Sequence, residues 1–170
     1  SDELVALLQA VQPSFGGFNL EDVAAPICFD VMEKATGRLT VPIIHDDQYG
    51  TATVVAAGFI NAWKVLGKDP SRERIVVCGD GAAGTATVDL LLGLGVQDIT
   101  VVGLSGIIGR HHTYLDIHRN RLAENTNRAG LRGGLAEAMQ GANAFVGLSV
   151  GGIVSGEMVK SMAPHPIVFA

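Results

Sequence analysis

The sequence predicts an α/β protein, a parallel sheet with helices on both faces, preceded by a shorter segment of different texture. Three observations carry this. From Arg74 to Ala170, short apolar runs alternate with helical patterns, as in a parallel sheet wrapped by its own crossover helices. Those runs are continuously apolar, as strands buried on both faces are. Glycine is abundant, 22 of 170 residues, nearly twice the usual share of about 7%. The glycines cluster at segment ends, which suits tight turns and close backbone approach to a ligand.

The elements follow in order. Glu3 to Val11 has the spacing of an amphipathic helix. Phe15 to Phe18 is glycine-rich and extended, and Asn19 to Thr36 reads as a capped helix interrupted by Pro26. Val41 to Ile44 is a strand and Gly50 to Leu66 a long helix. Gly67-Lys68-Asp69-Pro70 marks a boundary. Beyond it, Ile75 to Cys78 is a strand, Thr85 to Leu94 a helix with Ala86, Leu90 and Leu94 on one face, and Ile99 to Val102 a second strand. Leu135 to Met139 reads as helix, Ala144 to Val146 as strand, Gly156 to Met162 as a short helix ended by Pro164, and Ile167 to Ala170 as a last strand. The chain opens without Met and closes on an apolar strand, so both ends read as cut from something larger.

Composition narrows the function. Twelve Lys and Arg stand against 17 Asp and Glu, a net charge of −5 and an isoelectric point near 5.4. An extended nucleic-acid footprint needs a basic face, so none is expected. The apolar stretch Val54 to Ile60 is broken by Asn61 and Lys64, short of the roughly 18 residues of a membrane span. Ser1-Asp2-Glu3 is acidic where a secretory leader is basic. Cys28 and Cys78 lie in apolar contexts without a CxxC and read as buried free thiols of a cytoplasmic protein.

Gly79-Asp80-Gly81-Ala82-Ala83-Gly84 is a G-x-G-x-x-G string placed between a strand and a helix, the context that gives it meaning. The first glycine permits the turn, the second lets backbone approach a pyrophosphate, and the third lets helix pack on strand. The helix N-terminus, Ala82 and Ala83 included, offers N–H donors to phosphate. Dinucleotide binding on a Rossmann-like sheet is therefore expected. An acidic residue should end the second strand and hold the ribose 2′-hydroxyl of NAD. Gly103 stands there instead, and Arg110, His111 and His112 follow. The missing acid and the nearby Arg110 lean toward NADP, with a solvated charged loop as the plain alternative. Ser149 follows a strand end, where such sheets place ligands.

Two acidic pairs stand apart from this. Glu21-Asp22 follows Asn19, and Asp46-Asp47 follows a strand. Each pair has a plain reading as helix caps or first-turn acids. Together, and beside a dinucleotide site, they suggest hard oxygen ligands for Mg²⁺ or Mn²⁺. His45 is a weaker ligand candidate, and neither an HExxH nor a GxSxG occurs.

Read as longer strings, these segments resemble the bacterial malic enzymes. Gln12 to Asp22 (QPSFGGFNLED) is similar to that family's metal-site segment, and His45 to Ala52 (HDDQYGTA) to its second signature. The Gly79 to Gly84 turn, Gly147 to Ser149 and Gly156-Glu157-Met158-Val159 match in the same order. The resemblance implies a divalent metal held by Glu21, Asp22 and Asp47 on one octahedral site, with Asp46 supporting catalysis and NAD(P)⁺ on the glycine turn. It implies oxidative decarboxylation of (S)-malate to pyruvate and CO₂, and a homodimer. It divides the chain into residues 1–50 from the metal-bearing catalytic domain, a connecting helix and linker over 51–73, and a truncated Rossmann-like domain over 74–170.

Departures from the family accompany the match. Its tyrosine acid and lysine base come from an N-terminal region this chain does not contain, and Tyr49, Tyr114 and Lys64 do not match them. Its asparagine-containing substrate loop would follow Ala170. Gly103, Asn143 and Val150-Gly151-Gly152 are unusual. The chain is thus expected to carry the metal and cofactor halves of a site and to be inactive alone. The alternative is a non-catalytic nucleotide-binding or regulatory module that kept the motifs.

Overall fold

The computed structural model describes residues 1–112 and 116–170; Tyr114 lies outside the described residues. Its main sheet is built around β3 (Arg74–Cys78), which pairs in parallel with β4 (Asp98–Gly103) on one side and β6 (Ala144–Gly147) on the other. β7 (Ile167–Phe169) extends the sheet in parallel beyond β6, and the short β5 (Gly106–Ile107) runs antiparallel along β4. The strand order is β5-β4-β3-β6-β7. From β3 the chain moves outward to β4 and then crosses to β6, so the order reverses between β3 and β6. Ligands of open α/β sheets bind outside the carboxyl ends of the strands at that reversal.

Alternation along β3 explains why its run is apolar throughout. Successive side chains face opposite ways. Ile75 and Val77 join one buried layer with Leu91 of α4 (Ala82–Gly93) and Val101 of β4. Val76 and Cys78 join the other with Phe145, Met139 and Met162. The first layer is closed by α3 (Thr51–Leu66), whose Phe59 and Trp63 are buried in it with rings 5.2 Å apart. This helix, expected as part of the connecting segment, thus packs on the sheet's core. It ends at Gly67 in the left-handed conformation, φ +63°, a common helix stop.

The N-terminal region has a separate small core. Val5 and Leu8 of α1 (Asp2–Val11) pack on Val31 and Ala35 of α2 (Ile27–Thr36). Lys34 of α2 ties the two helices by an ion pair of 2.9 Å to Asp2, and a second of 2.9 Å joins it to Asp30 one turn earlier on its own helix. Between them β1 (Phe18–Leu20) pairs in parallel with β2 (Ile43–His45).

The helix expected over Asn19 to Thr36 is shorter than its capping chemistry suggests. Asn19 is in a strand, residues 21–26 are not helical, and α2 begins only at Ile27 behind the Pro26 N-cap. Proline restricts the residue before it and lacks an N–H, so it starts this helix and does not interrupt one. Glu21 and Asp22 thus do not stand in a helix's first turn. The polar stretch after β4 holds β5 and α5 (Ile117–Asn125), capped by Asp116, whose carboxylate accepts the His118 N–H at 2.7 Å. The short helix expected over Gly156 to Met162 is α7 (Gly156–Lys160), and Leu135–Met139 is α6.

Candidate cofactor cleft and acidic junction

The glycine turn is built as its spacing predicts. Gly79 has φ +128°, and a Cβ there would come within 2.6 Å of the Leu148 carbonyl oxygen. A Cβ on Gly84 would overlap the Gly79 carbonyl, whereas one on Gly81 would meet nothing within 4 Å. Two glycines close the turn and the third opens it to solvent. No side chain caps α4, so its first N–H groups remain for an anion. This cradle fits a pyrophosphate.

The turn borders a cleft of about 450 Å³ reached by Cys78, Asp80, Gly103, Leu104 and Ser149. It lies at the reversal between β3 and β6, where Leu148 N–H bonds the Cys78 carbonyl at 2.7 Å. Ser149 Oγ stands 3.5 Å from Cys78 Sγ. The structure thus brings Gly79, Gly81, Ala82, Ala83, Gly84 and Ser149 to one end of the sheet.

Arg110 is not with them. After Gly106 the chain runs back along β4, with Ile108 N–H on the Val101 carbonyl. That carries Arg110 toward the amino end of β4, where it donates to the Glu124 carbonyl at 2.8 Å and lines a different cavity with Asn127 and Arg132. The arginine that contacts the cleft's Asp80 is Arg119, on the first turn of α5, with Nε 2.7 Å from Asp80 Oδ2. In the sequence Asp80 is only a variable position of the glycine string, and nothing local marks Arg119. Which arginine reaches the cleft depends on the direction of α5, which periodicity does not give.

The two acidic pairs meet through strand register. Leu20 lies opposite His45 in the parallel β1–β2 pair, so Glu21-Asp22 and Asp46-Asp47 leave the same ends of adjacent strands. Asp22 takes the left-handed conformation, φ +59°, uncommon for a residue with a side chain. In that conformation its N–H donates to Asp47 Oδ2 at 3.0 Å. His45 is wholly buried; among the described residues neither ring nitrogen has a hydrogen-bond partner, and Nε2 lies 3.9 Å from Asp47 Oδ2. Asp46 opens a π-helical turn, Asp46–Gly50, that continues into α3; such turns recur at functional sites. The turn packs on α4, and Gln48 and Tyr49 share a cavity with Thr85 and Ala86. The acidic junction therefore adjoins the helix that the glycine turn opens.

Carboxylates suit a hard divalent cation, and the register places both pairs at one junction. Among the described residues, however, no three His, Cys, Asp or Glu side chains are gathered closely enough to hold a metal ion. Asp22 and Asp47 are brought together; Glu21 is not drawn into a three-carboxylate cluster with them.

Cys28 lies beside this junction, wholly buried on α2. Burial chiefly pushes its thiol pKa up, and the Asp47 charge adds to that. The thiolate is the reactive form, so native Cys28 is expected to resist iodoacetamide near pH 8 and to react once the chain is unfolded. Peptide mapping of the alkylated protein checks this; labelling at the rate of an unfolded thiol would contradict the buried placement.

Together these features define a class: an α/β protein with a glycine turn shaped as a phosphate cradle and an acidic junction against the helix which that turn opens. Comparison with known proteins shows what the chain is similar to: over its whole length it matches part of bacterial malic enzymes. It is 42% identical over 170 residues to the NAD-dependent malic enzyme of Geobacillus stearothermophilus, spanning all of this chain and 36% of that enzyme. It is 42% identical over 173 residues to the NADP-dependent malic enzyme of Haemophilus influenzae, spanning 99% of this chain and 22% of that one. The crystal structure of the NAD-dependent malic enzyme from Thermotoga maritima superposes with a TM-score of 0.96 at 39% identity, over 99% of this chain and 45% of that one. The chain thus spans less than half of the relatives it matches. No family model matches it. Among the described residues no helix is long and apolar enough to cross a membrane.

Proposed function

We propose that this chain carries the metal- and cofactor-holding parts of an NAD(P)-dependent malic enzyme, which converts (S)-malate to pyruvate and CO₂. The observation that carries the reading is the register that joins Glu21-Asp22 to Asp46-Asp47 beside the nucleotide-binding helix. In this reading residues 1–50 belong to the catalytic domain, 51–73 join the domains, and 74–170 form the cofactor domain. The protein is a cytoplasmic homodimer.

Asp22 and Asp47, with Glu21 once it is drawn to them, would hold Mg²⁺ or Mn²⁺, and the bound cation would supply Lewis-acid polarisation of a substrate oxygen. A dinucleotide held on the glycine turn would supply the hydride acceptor. The chain's own residues bind and position. The Ala82, Ala83 and Gly84 N–H groups hold the pyrophosphate, with Gly79 and Gly81 shaping its approach. Ser149 closes the cleft from β6. Asp46, on the π-helical turn, supports the acidic ligands from the α3 side.

Residues 1–170 made alone are expected to bind dinucleotide and not to turn over. Malate oxidation needs a base for the hydroxyl proton, and the enol of pyruvate needs an acid. General acid–base groups typically supply about 10²–10⁴-fold each, and the family's tyrosine and lysine have no counterpart here. The assay is malate-dependent reduction of NAD⁺ or NADP⁺ with Mn²⁺, run on residues 1–170 and on the protein at its natural length. Activity only at natural length supports the reading. Robust turnover by residues 1–170 would place the base within them, with Asp46 and Lys64 the first suspects. Dinucleotide binding without turnover at natural length would favour a non-catalytic module.

A further inference from the structure

The cofactor cleft contains a carboxylate where the strand sequence has none. We propose that Asp80 supplies, from inside the glycine turn, the acid missing from the end of β4, and so directs the cleft to NAD⁺ over NADP⁺. This rests on the dinucleotide-binding reading above.

The geometry at Gly103 carries it. Gly103 is the last residue of β4, the place from which a carboxylate would reach the ribose. A Cβ built there would lie 2.6 Å from Asp80 Oδ2, 2.8 Å from its Cγ and 3.2 Å from Oδ1. The Asp80 carboxylate therefore fills the space where a side chain at 103 would begin. The acid absent from one strand end is delivered from the adjacent one, and only glycine at 103 leaves room for it. Gly79, Asp80 and Gly103 border the same cleft, which keeps this carboxylate within the site.

Its setting favours a hydroxyl ligand. The Asp80 side chain is 14% exposed and is held through Oδ2 by Arg119 Nε at 2.7 Å, which fixes the direction of its acceptors. An ionised carboxylate has about four lone-pair sites, so capacity remains for ribose hydroxyls. A 2′-phosphate brings about two negative charges to a carboxylate whose one ion-paired arginine is already matched, and like charges repel. Arg110, whose position in the sequence leaned toward NADP⁺, is carried to the far end of β4. Arg110 therefore gives the cleft no contact for a 2′-phosphate. Arg119 released from Asp80 to grip a 2′-phosphate is the rival assignment.

The test is calorimetric titration of the natural-length protein with NAD⁺ and with NADP⁺, in wild type and four variants. Wild type is expected to favour NAD⁺ by on the order of 10-fold or more, the worth of a charge-assisted hydrogen bond. Asp80→Ala should weaken NAD⁺ and narrow the preference. Asp80→Asn keeps the shape while removing the charge, and should gain NADP⁺ affinity. The swap Asp80→Ala with Gly103→Asp returns the acid to β4 and should restore the preference. Arg119→Ala should not remove NADP⁺ binding selectively. A wild-type preference for NADP⁺, or an Asp80→Asn variant as selective as wild type, overturns the proposal. Selective loss of NADP⁺ binding in Arg119→Ala assigns the site to the rival and does the same. Failure of the wild type to bind either dinucleotide overturns both this proposal and the reading beneath it, whereas binding with the wrong preference leaves that reading standing.

Discussion

Replacing Gly84 with alanine is expected to lower both stability and dinucleotide affinity, although the same change ordinarily stabilises a helix. Gly84 is the third residue of α4 and buried. In an unobstructed helix interior, glycine to alanine gains up to about 1 kcal/mol. Here the new Cβ would overlap the Gly79 carbonyl, a backbone atom that no rotamer change can move aside. Overpacking of this kind typically costs about 1–3 kcal/mol, so the clash outweighs the propensity gain. A net loss near 1–2 kcal/mol would lower the melting temperature by roughly 2–8 °C in a chain of this size. The functional loss should be larger. Relief of the clash must move either the glycine turn or the first turn of α4, the two groups proposed to cradle the pyrophosphate. Misplacement by about 1 Å can cost on the order of 10²-fold. Gly93 provides the control, since it ends the same helix and a Cβ there would meet nothing within 4 Å. Gly93→Ala should be neutral or slightly stabilising and bind NAD⁺ normally. Equal behaviour of the two variants would show that the packing at Gly84 does not matter.

The contrast between these glycines also shows what a sequence makes legible. The β3-turn-α4 unit could be read because every part is local: an apolar run, glycines at fixed spacing, then helical periodicity. The acidic junction was legible as two strings and not as a place. Strands of three residues, Phe18–Leu20 and Ile43–His45, have too few positions to announce a partner, and their register is set by tertiary packing. The helix expected from Asn19 failed for the same reason. Local capping chemistry at Asn19 was overridden by a strand pairing 25 residues away. Arg110 and Arg119 show a further limit. Both lie near the second strand in sequence, but the β5 hairpin sends one to the amino end of the sheet while α5 holds the other at the carboxyl end. Proximity along the chain carries no information about which end a side chain reaches. Asp80 was hidden differently, because the fingerprint assigns no task to its position.

Substitution of Asp47 by asparagine should abolish divalent-cation binding and malate-dependent turnover in the natural-length protein while leaving the fold intact. Asparagine keeps the size of Asp47 and an oxygen that can still accept the Asp22 N–H, now 3.0 Å from Oδ2. What it removes is the charge. If Asp47 only completes the first turn above α3, its interaction with the helix dipole is worth about 0.3–1 kcal/mol, and a small shift in melting temperature would be the whole effect. If it is a cation ligand, the loss must exceed the 10–100-fold that is typical of removing an outer partner of a metal site. The two roles therefore separate by magnitude and by readout. Mn²⁺ binding followed by electron paramagnetic resonance reports the cation without any turnover, and Gly84→Ala serves as the converse control because it should bind Mn²⁺ while losing dinucleotide. Asp22→Asn should weaken Mn²⁺ as Asp47→Asn does, since the Asp22 backbone is already fixed on that carboxylate. Glu21→Gln is the most informative of the three, because the structure does not draw Glu21 into a cluster with the other two. A loss of Mn²⁺ affinity at Glu21 would mean that cation binding gathers the third carboxylate, with residues 21–26, which lie outside helix and strand, supplying the movement. Unchanged Mn²⁺ binding in Asp47→Asn would remove the metal site from this junction and leave its acids with a structural role.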